Sequence, residues 1–489
     1  MLFLATAILS ASIHLLGAID APATSVVPSE AVSTAHAEVE TALVSASATA
    51  PAPARVPEWA GPEAGESADA VALACGGETT EGVDGAGCLG ELTRASSESV
   101  RSFASHLDSA GDDVSALSAE VTADVEADVV SDWWGALDPS RRNELIALAP
   151  GLVGNLEGVP YGVRDEANRI FLSEAVAAVD DRLASGEAGP DDVARAAMLA
   201  AVGEALSDRT SGAADRQLVL LDTVMPGRVA VSIGDLDAAD DVSILVPGML
   251  YGVTGQVVDW SITAGGLYDE QSSWAGLPSG RAAADAPSTA VVAWMGYRTP
   301  DLTNVYSLDL ARVGAGHLVD SLAGLDAARS AHPARVTVVA HSYGSTTATL
   351  ALSSGRTVVD SLVLLGSPGS VVETSTQLAV HGSDVYAAAG SFDPVAGSGV
   401  FGADPGSPGF GAVMLHTGGG LDGVTGEALA AALGHNDYLR PGTESLRSIA
   451  LIGLGRGDLV DSDERTPGTG GPVLPDITLV RPQDLYARD

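Results

Sequence analysis

Apolar positions recur in two rhythms along the chain, and the change of rhythm divides it. Between Glu91 and Val130 they fall at Leu107, Val114, Leu117, Val121 and Val125, spacings that predict an amphipathic helix. Residues 133–150 predict a second, opened by Asp138-Pro139, with Leu145, Ile146 and Leu148 on its apolar side and Pro150-Gly151 as its stop. Residues 163–183 and 191–206 follow as two more helices, the latter introduced by Gly189-Pro190. After Gln217 short β-branched runs take over, at 218–221, 228–233, 242–246, 290–294, 335–340, 361–365 and 385–388, separated by helical stretches. Runs apolar on both sides and alternating with helices predict an α/β fold with a mostly parallel sheet covered on both faces.

Composition sharpens the division. The chain has 489 residues and a formal net charge of −40, with 24 basic residues, all of them Arg. So acidic a surface disfavours nucleic acid and anionic lipid as partners, since both need clustered cations. Residues 1–37 form an apolar N-terminus expected to be an export signal or membrane anchor, with Ala35-His36-Ala37 in the pattern of a cleavage site, although no Arg precedes Arg55. The expected location is accordingly extracellular or in the cell envelope, with the cytoplasm as the alternative. Residues 38–90 read as a linker carrying Cys75 and Cys88, which would close a disulfide loop in an oxidising compartment. Two cysteines without a nearby His supply too few ligands for a metal, so neither metal nor cofactor is expected. Residues 91–216 form the helical region, 217–457 the domain built on the sheet, and 458–489 a C-terminal tail.

The chemistry concentrates in residues 335–350, RVTVVAHSYGSTTATL. A strand, a small residue, His341-Ser342-Tyr343, Gly344 and then a helix make a nucleophile elbow, with Ala340 where Gly is usual. Ser342 is the expected nucleophile. A serine needs a base and an orienting acid, which follow in the order acid, then His. Asp393, in a loop after the run 385–388, is the expected acid, and Asp404, with similar flanks, the alternative. His435, in Gly434-His-Asn-Asp-Tyr438, is the expected base, ahead of His416 and His381. Backbone N–H donors for an oxyanion are expected from Tyr343 and from Met249, in a loop that Gly248 lets turn sharply. Trp133, Trp134 and Tyr161 are expected to pack the helical region onto the sheet, Trp294 and Tyr297 to pack the core or line the crevice, and Asp235, Asp237, Asp240 and Asp241 to form a solvated turn.

From Trp133 to Leu454 the sequence resembles an uncharacterised bacterial α/β-hydrolase family, mostly of GC-rich Gram-positives, in which a helical N-terminal region precedes the hydrolase domain. The resemblance is carried by 134–169, including Gly154-Asn-Leu-Glu-Gly-Val-Pro160 and Arg164-Asp-Glu-Ala-Asn-Arg169, by 235–249, and by Trp294-Met-Gly-Tyr-Arg-Thr-Pro300. It continues through 340–345, Gly366-Ser-Pro-Gly369, Asp393-Pro394, 401–411 and 434–438. It implies an α/β-hydrolase fold with Ser342, Asp393 and His435 as triad. The expected function is a serine hydrolase cleaving an ester, less readily an amide, of a small-molecule or lipid-like substrate through an acyl-enzyme. The rival is a secreted or surface interaction protein that retains the fold without turnover.

Overall fold

The computed structural model describes residues 75, 85–110, 121, 125–207, 214–275 and 287–460. The expected export segment, most of the linker and the end of the tail lie outside them. Helices come first in the chain: α1 (Gly85–Arg94), α2 (Ser97–Ala110), α3 (Ala127–Ala136), α4 (Pro139–Leu148), α5 (Pro150–Val153), α6 (Tyr161–Ser185) and α7 (Pro190–Leu206). The α4 start follows the sequence signal, since the Asp138 carboxylate accepts the Arg141 N–H at 3.0 Å. Cys75 and Cys88 are joined by a disulfide. Both are buried in a helical core with Leu92, Trp134, Leu145 and Leu152, so the span read as linker reaches into folded structure.

The seven β-branched runs become β1 (Arg216–Asp222), β2 (Arg228–Ile233), β3 (Asp241–Val246), β4 (Thr289–Met295), β5 (Arg335–His341), β6 (Ser361–Leu365) and β7 (Val385–Ala388). A short β8 (Val413–Met414) completes a sheet of order β1-β2-β4-β3-β5-β6-β7-β8. The β1–β2 and β2–β4 pairings are antiparallel, and every pairing from β4 to β8 is parallel. A hairpin of β9 (Gly420–Leu421) and β10 (Ala428–Leu429) stands apart. Between strands run α8 (Val253–Ala275), α9 (Asp309–Ala328) and α10 (Tyr343–Ser353), and α11 (Glu444–Gly453) closes the layer.

Alternation along each strand assigns residues to two cores. Val229, Val231, Leu245, Val339 and Val363 face Phe171, Leu172, Met198, Trp260 and Ile449 from α6, α7, α8 and α11. Ala230, Ile244, Val338 and Leu362 face Leu318, Leu322 and Leu352 from α9 and α10. Packing therefore runs straight across the 216/217 boundary, because α6 and α7 cover the same sheet face as α8. Tyr161 joins the second of these cores, whereas Trp134 lines the helical one.

Polar residues make the junction. The outward backbone of edge strand β1 is met by side chains: Asn155 donates to Leu221 O (3.0 Å) and accepts the Leu221 N–H (2.9 Å), Asp165 accepts the Leu218 N–H (2.6 Å), and Asn168 donates to Leu218 O (3.0 Å). Beneath them Arg164 and Glu157 form a buried ion pair at 2.6 Å. The acidic run departs from the solvated turn expected of it. Asp237 accepts the first N–H groups of α6 (Tyr161, 2.8 Å; Gly162, 2.7 Å), and Asp241 is buried, its carboxyl pushed up to about 6.

Asn155→Leu tests the junction. It strips both partners from Leu221 inside a buried setting, and each orphaned backbone group costs about 1–3 kcal/mol. Urea unfolding is expected to show a loss of roughly 2–4 kcal/mol. A change within about 0.5 kcal/mol, typical of exposed sites, would show that the Asn155 contacts carry no weight.

Candidate active site

The β5 strand delivers Ser342 to the carboxyl edge of the sheet and α10 begins one residue later. Ser342 takes φ 55° and ψ −128°, a conformation that a residue with a side chain holds only when its surroundings impose it. Its N–H donates to Leu365 O at 2.8 Å, and its carbonyl accepts the Ser345 N–H (2.9 Å) and hydroxyl (2.6 Å). The small residues of the elbow answer to neighbours: a Cβ on Gly344 would lie 2.5 Å from Pro247 O, and Ala340 is fully buried beside Val246.

Asp393, from the loop after β7, and His435, from the loop between β10 and α11, reach the same point. The His435 Nε2 lies 2.9 Å from Ser342 Oγ, while its Nδ1 lies 2.9 Å from each Asp393 oxygen. A carboxylate only accepts, so Nδ1 carries the proton and Nε2 is left to accept from the serine hydroxyl. Burial alone would raise the Asp393 pKa. Donors from His435, from Tyr438 (2.5 Å) and from the Val395 N–H (2.8 Å) outweigh it and hold the carboxyl at about 2.

The alternatives point elsewhere. Asp404 accepts the Gly406 N–H at 2.8 Å in its own turn, and His381 faces Asp360 at 3.3 Å. His416 sits between β8 and β9.

On the other side of Ser342 runs the loop after β3. A Cβ on Gly248 would lie 2.7 Å from Ser342 Cβ, 3.1 Å from His341 O and 3.2 Å from Ser342 Oγ, so the Gly248 backbone packs closely against the Ser342 side chain. Gly248 is thus required by close approach. The sharp turn expected of it occurs instead at Leu250, with φ 64°. The Leu250 N–H is taken by Pro300 O at 2.9 Å. Tyr343, first residue of α10, presents an N–H that no earlier helical carbonyl can satisfy.

Three contributors went unassigned in the sequence. Tyr438 donates to Asp393 and accepts the Gly390 N–H at 2.7 Å, and burial with the Asp393 charge keeps its phenol protonated. His341 is buried, and its Nε2 donates to the His435 carbonyl at 2.7 Å. Burial, then the neighbouring His435 ring, holds it down at about 3. Gly366, at φ 56°, lies beneath the acid and base: a Cβ there would come within 2.6 Å of Asp393 Oδ2 and 2.9 Å of His435 Nδ1. The Gly366-Ser-Pro-Gly369 stretch was the only signal for it, and local sequence could not say what it made room for.

Comparison with known proteins finds similarity to this chain. A family model described as alpha/beta hydrolase matches residues 222–403, a span that contains Ser342 and Asp393 and stops short of His435. The uncharacterized protein Rv2079 of Mycobacterium tuberculosis is 30% identical over 384 residues, covering 68% of this chain and 56% of its own length. The chain thus spans little more than half of that relative. Another, the uncharacterized protein Rv0963c of the same organism, is 34% identical over 226 residues, 44% of this chain and 82% of its own length. The uncharacterized protein Mb0988c of Mycobacterium bovis matches to the same extent.

Gly366→Ala is expected to push the His435–Asp393 pair off Ser342. A displacement near 1 Å at a reacting group costs roughly 100-fold, and the rate of Ser342 modification by a fluorophosphonate should fall by about that factor while thermal unfolding stays cooperative. An unchanged rate would remove Gly366 from the site's architecture.

His341 makes stability depend on pH. An unfolded histidine titrates near 6.5, and below that the unfolded chain takes up a proton that the native state refuses. The contribution is complete above about 6.5 and is lost as pH falls toward about 3. Asp241 and Asp320, both pushed up to about 6 by burial, slope the opposite way over part of that window. The comparison is therefore with His341→Gln, whose amide can donate to the same carbonyl without titrating. Urea unfolding from about pH 7 to about pH 5 should show the variant losing less stability than the native chain. Equal slopes would refute the assignment.

Proposed function

The chain belongs to the α/β-hydrolase family, and from that premise we propose that it is a serine hydrolase cleaving carboxylic esters, with amides as poorer substrates, through an acyl-enzyme. One observation carries the reading: the unbroken hydrogen-bond chain from Asp393 through His435 to Ser342 Oγ. In the proposed mechanism Ser342 Oγ attacks the ester carbonyl as His435 Nε2 takes its proton, and the developing oxyanion is met by the N–H groups of Tyr343 and Met249. His435 then protonates the departing alcohol, leaving the acyl group on Ser342. A water, deprotonated by the same nitrogen, releases the acid. Asp393, ionised far below neutrality, balances the imidazolium in both steps.

An apolar acyl portion, as in a lipid-like ester, is supported by exposed apolar residues that adjoin the reacting groups in sequence. Phe392, 62% exposed, directly precedes Asp393, and its N–H donates to the carbonyl of exposed Leu433, two residues before His435. Leu250, in the proposed oxyanion loop and directly after Met249, is exposed as well. Apolar side chains left in water at a site's mouth favour an acyl chain over a charged substituent.

Labelling by a fluorophosphonate, followed by p-nitrophenyl esters of rising chain length, tests the reading. Ser342→Ala is expected to abolish labelling and to lower kcat by about 10⁴-fold or more, leaving what binding and the oxyanion donors supply. Among the esters, kcat/KM should rise from acetate toward medium-chain acyl groups. Undiminished labelling of the Ala variant would remove Ser342 from the mechanism, and a native protein that neither labels nor turns over any ester would favour an interaction protein without turnover.

A further inference from the structure

Trp294-Met-Gly-Tyr-Arg-Thr-Pro300 has no part in the proposed acid–base chain, yet it holds the loop whose Gly248 packs against Ser342. That loop, 247–251, is anchored to it at both ends. Tyr297, buried at the end of β4, donates its hydroxyl to Pro247 O at 2.7 Å. On the far side Pro300 O takes the Leu250 N–H at 2.9 Å, and Thr299 donates to Tyr251 O at 3.1 Å. Between these anchors lie Gly248, packed on Ser342, and Met249. Leu250 sits at φ 64°, an arrangement that a leucine does not keep without such restraint.

The anchor is itself rigid. The Tyr297 ring stacks on Trp294 with centroids 5.8 Å apart, and the Gly296 carbonyl accepts from His317 Nδ1 at 2.9 Å. The Tyr297 phenol, its pKa driven upward by burial, remains a donor at any working pH.

We infer that Tyr297 and Thr299 are positioning residues for the oxyanion site: they fix the Pro247–Tyr251 loop so that the Met249 N–H is aimed before substrate arrives. The inference rests on the serine-hydrolase reading. Its physical content is preorganisation. A backbone donor stabilises a developing oxyanion only if it does not have to reorient during the reaction. Without the phenol the Pro247 peptide would be free to swing, and the next peptide, which carries the Met249 N–H, would swing with it.

Tyr297→Phe keeps the ring and its stacking and removes only the hydroxyl. Loss of an oxyanion donor itself costs about 10²–10³-fold, and a donor left present but loosened should cost less. We expect kcat/KM on p-nitrophenyl butyrate to fall about 10-fold to 100-fold, mostly in kcat. A trifluoromethyl ketone, whose adduct on Ser342 bears the oxyanion, should lose affinity by the same factor. The matching secondary alcohol, which forms no adduct, should bind unchanged. Thr299→Val should move the same quantities in the same direction by less, with Thr299→Ser restoring them, which keeps the inference testable should Tyr297→Phe fold poorly. Unchanged ketone affinity in the folded variants, or an equal loss of alcohol affinity, would overturn it. Fluorophosphonate labelling of the native protein separates the two levels: a native chain that does not label overturns the hydrolase reading and this inference together, whereas a native chain that labels and a Phe variant of full activity overturn the inference alone.

Discussion

Holding a serine hydroxyl 2.9 Å from an imidazole at a strand end requires the backbone to stay in a region it would otherwise leave, at a cost on the order of 1–3 kcal/mol. The rest of the architecture can be understood as what keeps Ser342 there. Parallel strands on either side bring β3, β5 and β6 to a common edge, where Leu365 O captures the Ser342 N–H. Side chains are pared away wherever the turn meets a neighbour, at Gly248, Gly344 and Gly366. Of the side chains that remain, His341 holds the His435 loop through its carbonyl, and Tyr438 holds the Asp393 loop through the carboxylate and the Gly390 N–H. Ser445 adds a third hold by donating to Tyr438 O at 2.7 Å.

Much of this was legible because local signals and tertiary demands coincide. The strands announced themselves as β-branched runs, and the elbow as a strand, small residue, serine and glycine leading into a helix. The acid was harder. Asp393 and Asp404 precede prolines, and each accepts the N–H two residues on, from Val395 and Gly406 respectively, so their local structures are alike. What sets Asp393 apart is the arrival of His435 and Tyr438, both distant in sequence. His341 and Tyr438 were unassignable for the same reason, since the partner of the first lies 94 residues along the chain and that of the second 45. The two-residue strands β8, β9 and β10 carry no periodicity to read. Asp237 looked like part of a solvated turn because nothing nearby in sequence reveals that α6 begins over it.

The two halves of the site are held independently, one by α11 and β5 and the other by the end of β4. The hydrogen-bonded geometry therefore belongs to the sheet, while Leu250, Phe392 and Leu433 sit on loops and expose their side chains. In the proposed hydrolase, substitutions at those faces would leave the hydrogen-bond chain undisturbed, in keeping with one fold serving many substrates.

The side chains that meet β1 carry a consequence for how the chain is made. A sheet edge invites another strand, and proteins usually blunt it with charge, proline or a bulge. Here a register shift between Leu218 and Leu220 is joined by Asn155, Asp165 and Asn168, which supply donors and acceptors to Leu218 and Leu221 in place of a neighbouring strand. They precede β1 in sequence and so leave the ribosome before it. The guard against intermolecular pairing is in place ahead of the surface it protects, and a shortened chain beginning at β1 would emerge with that surface bare and adhesive.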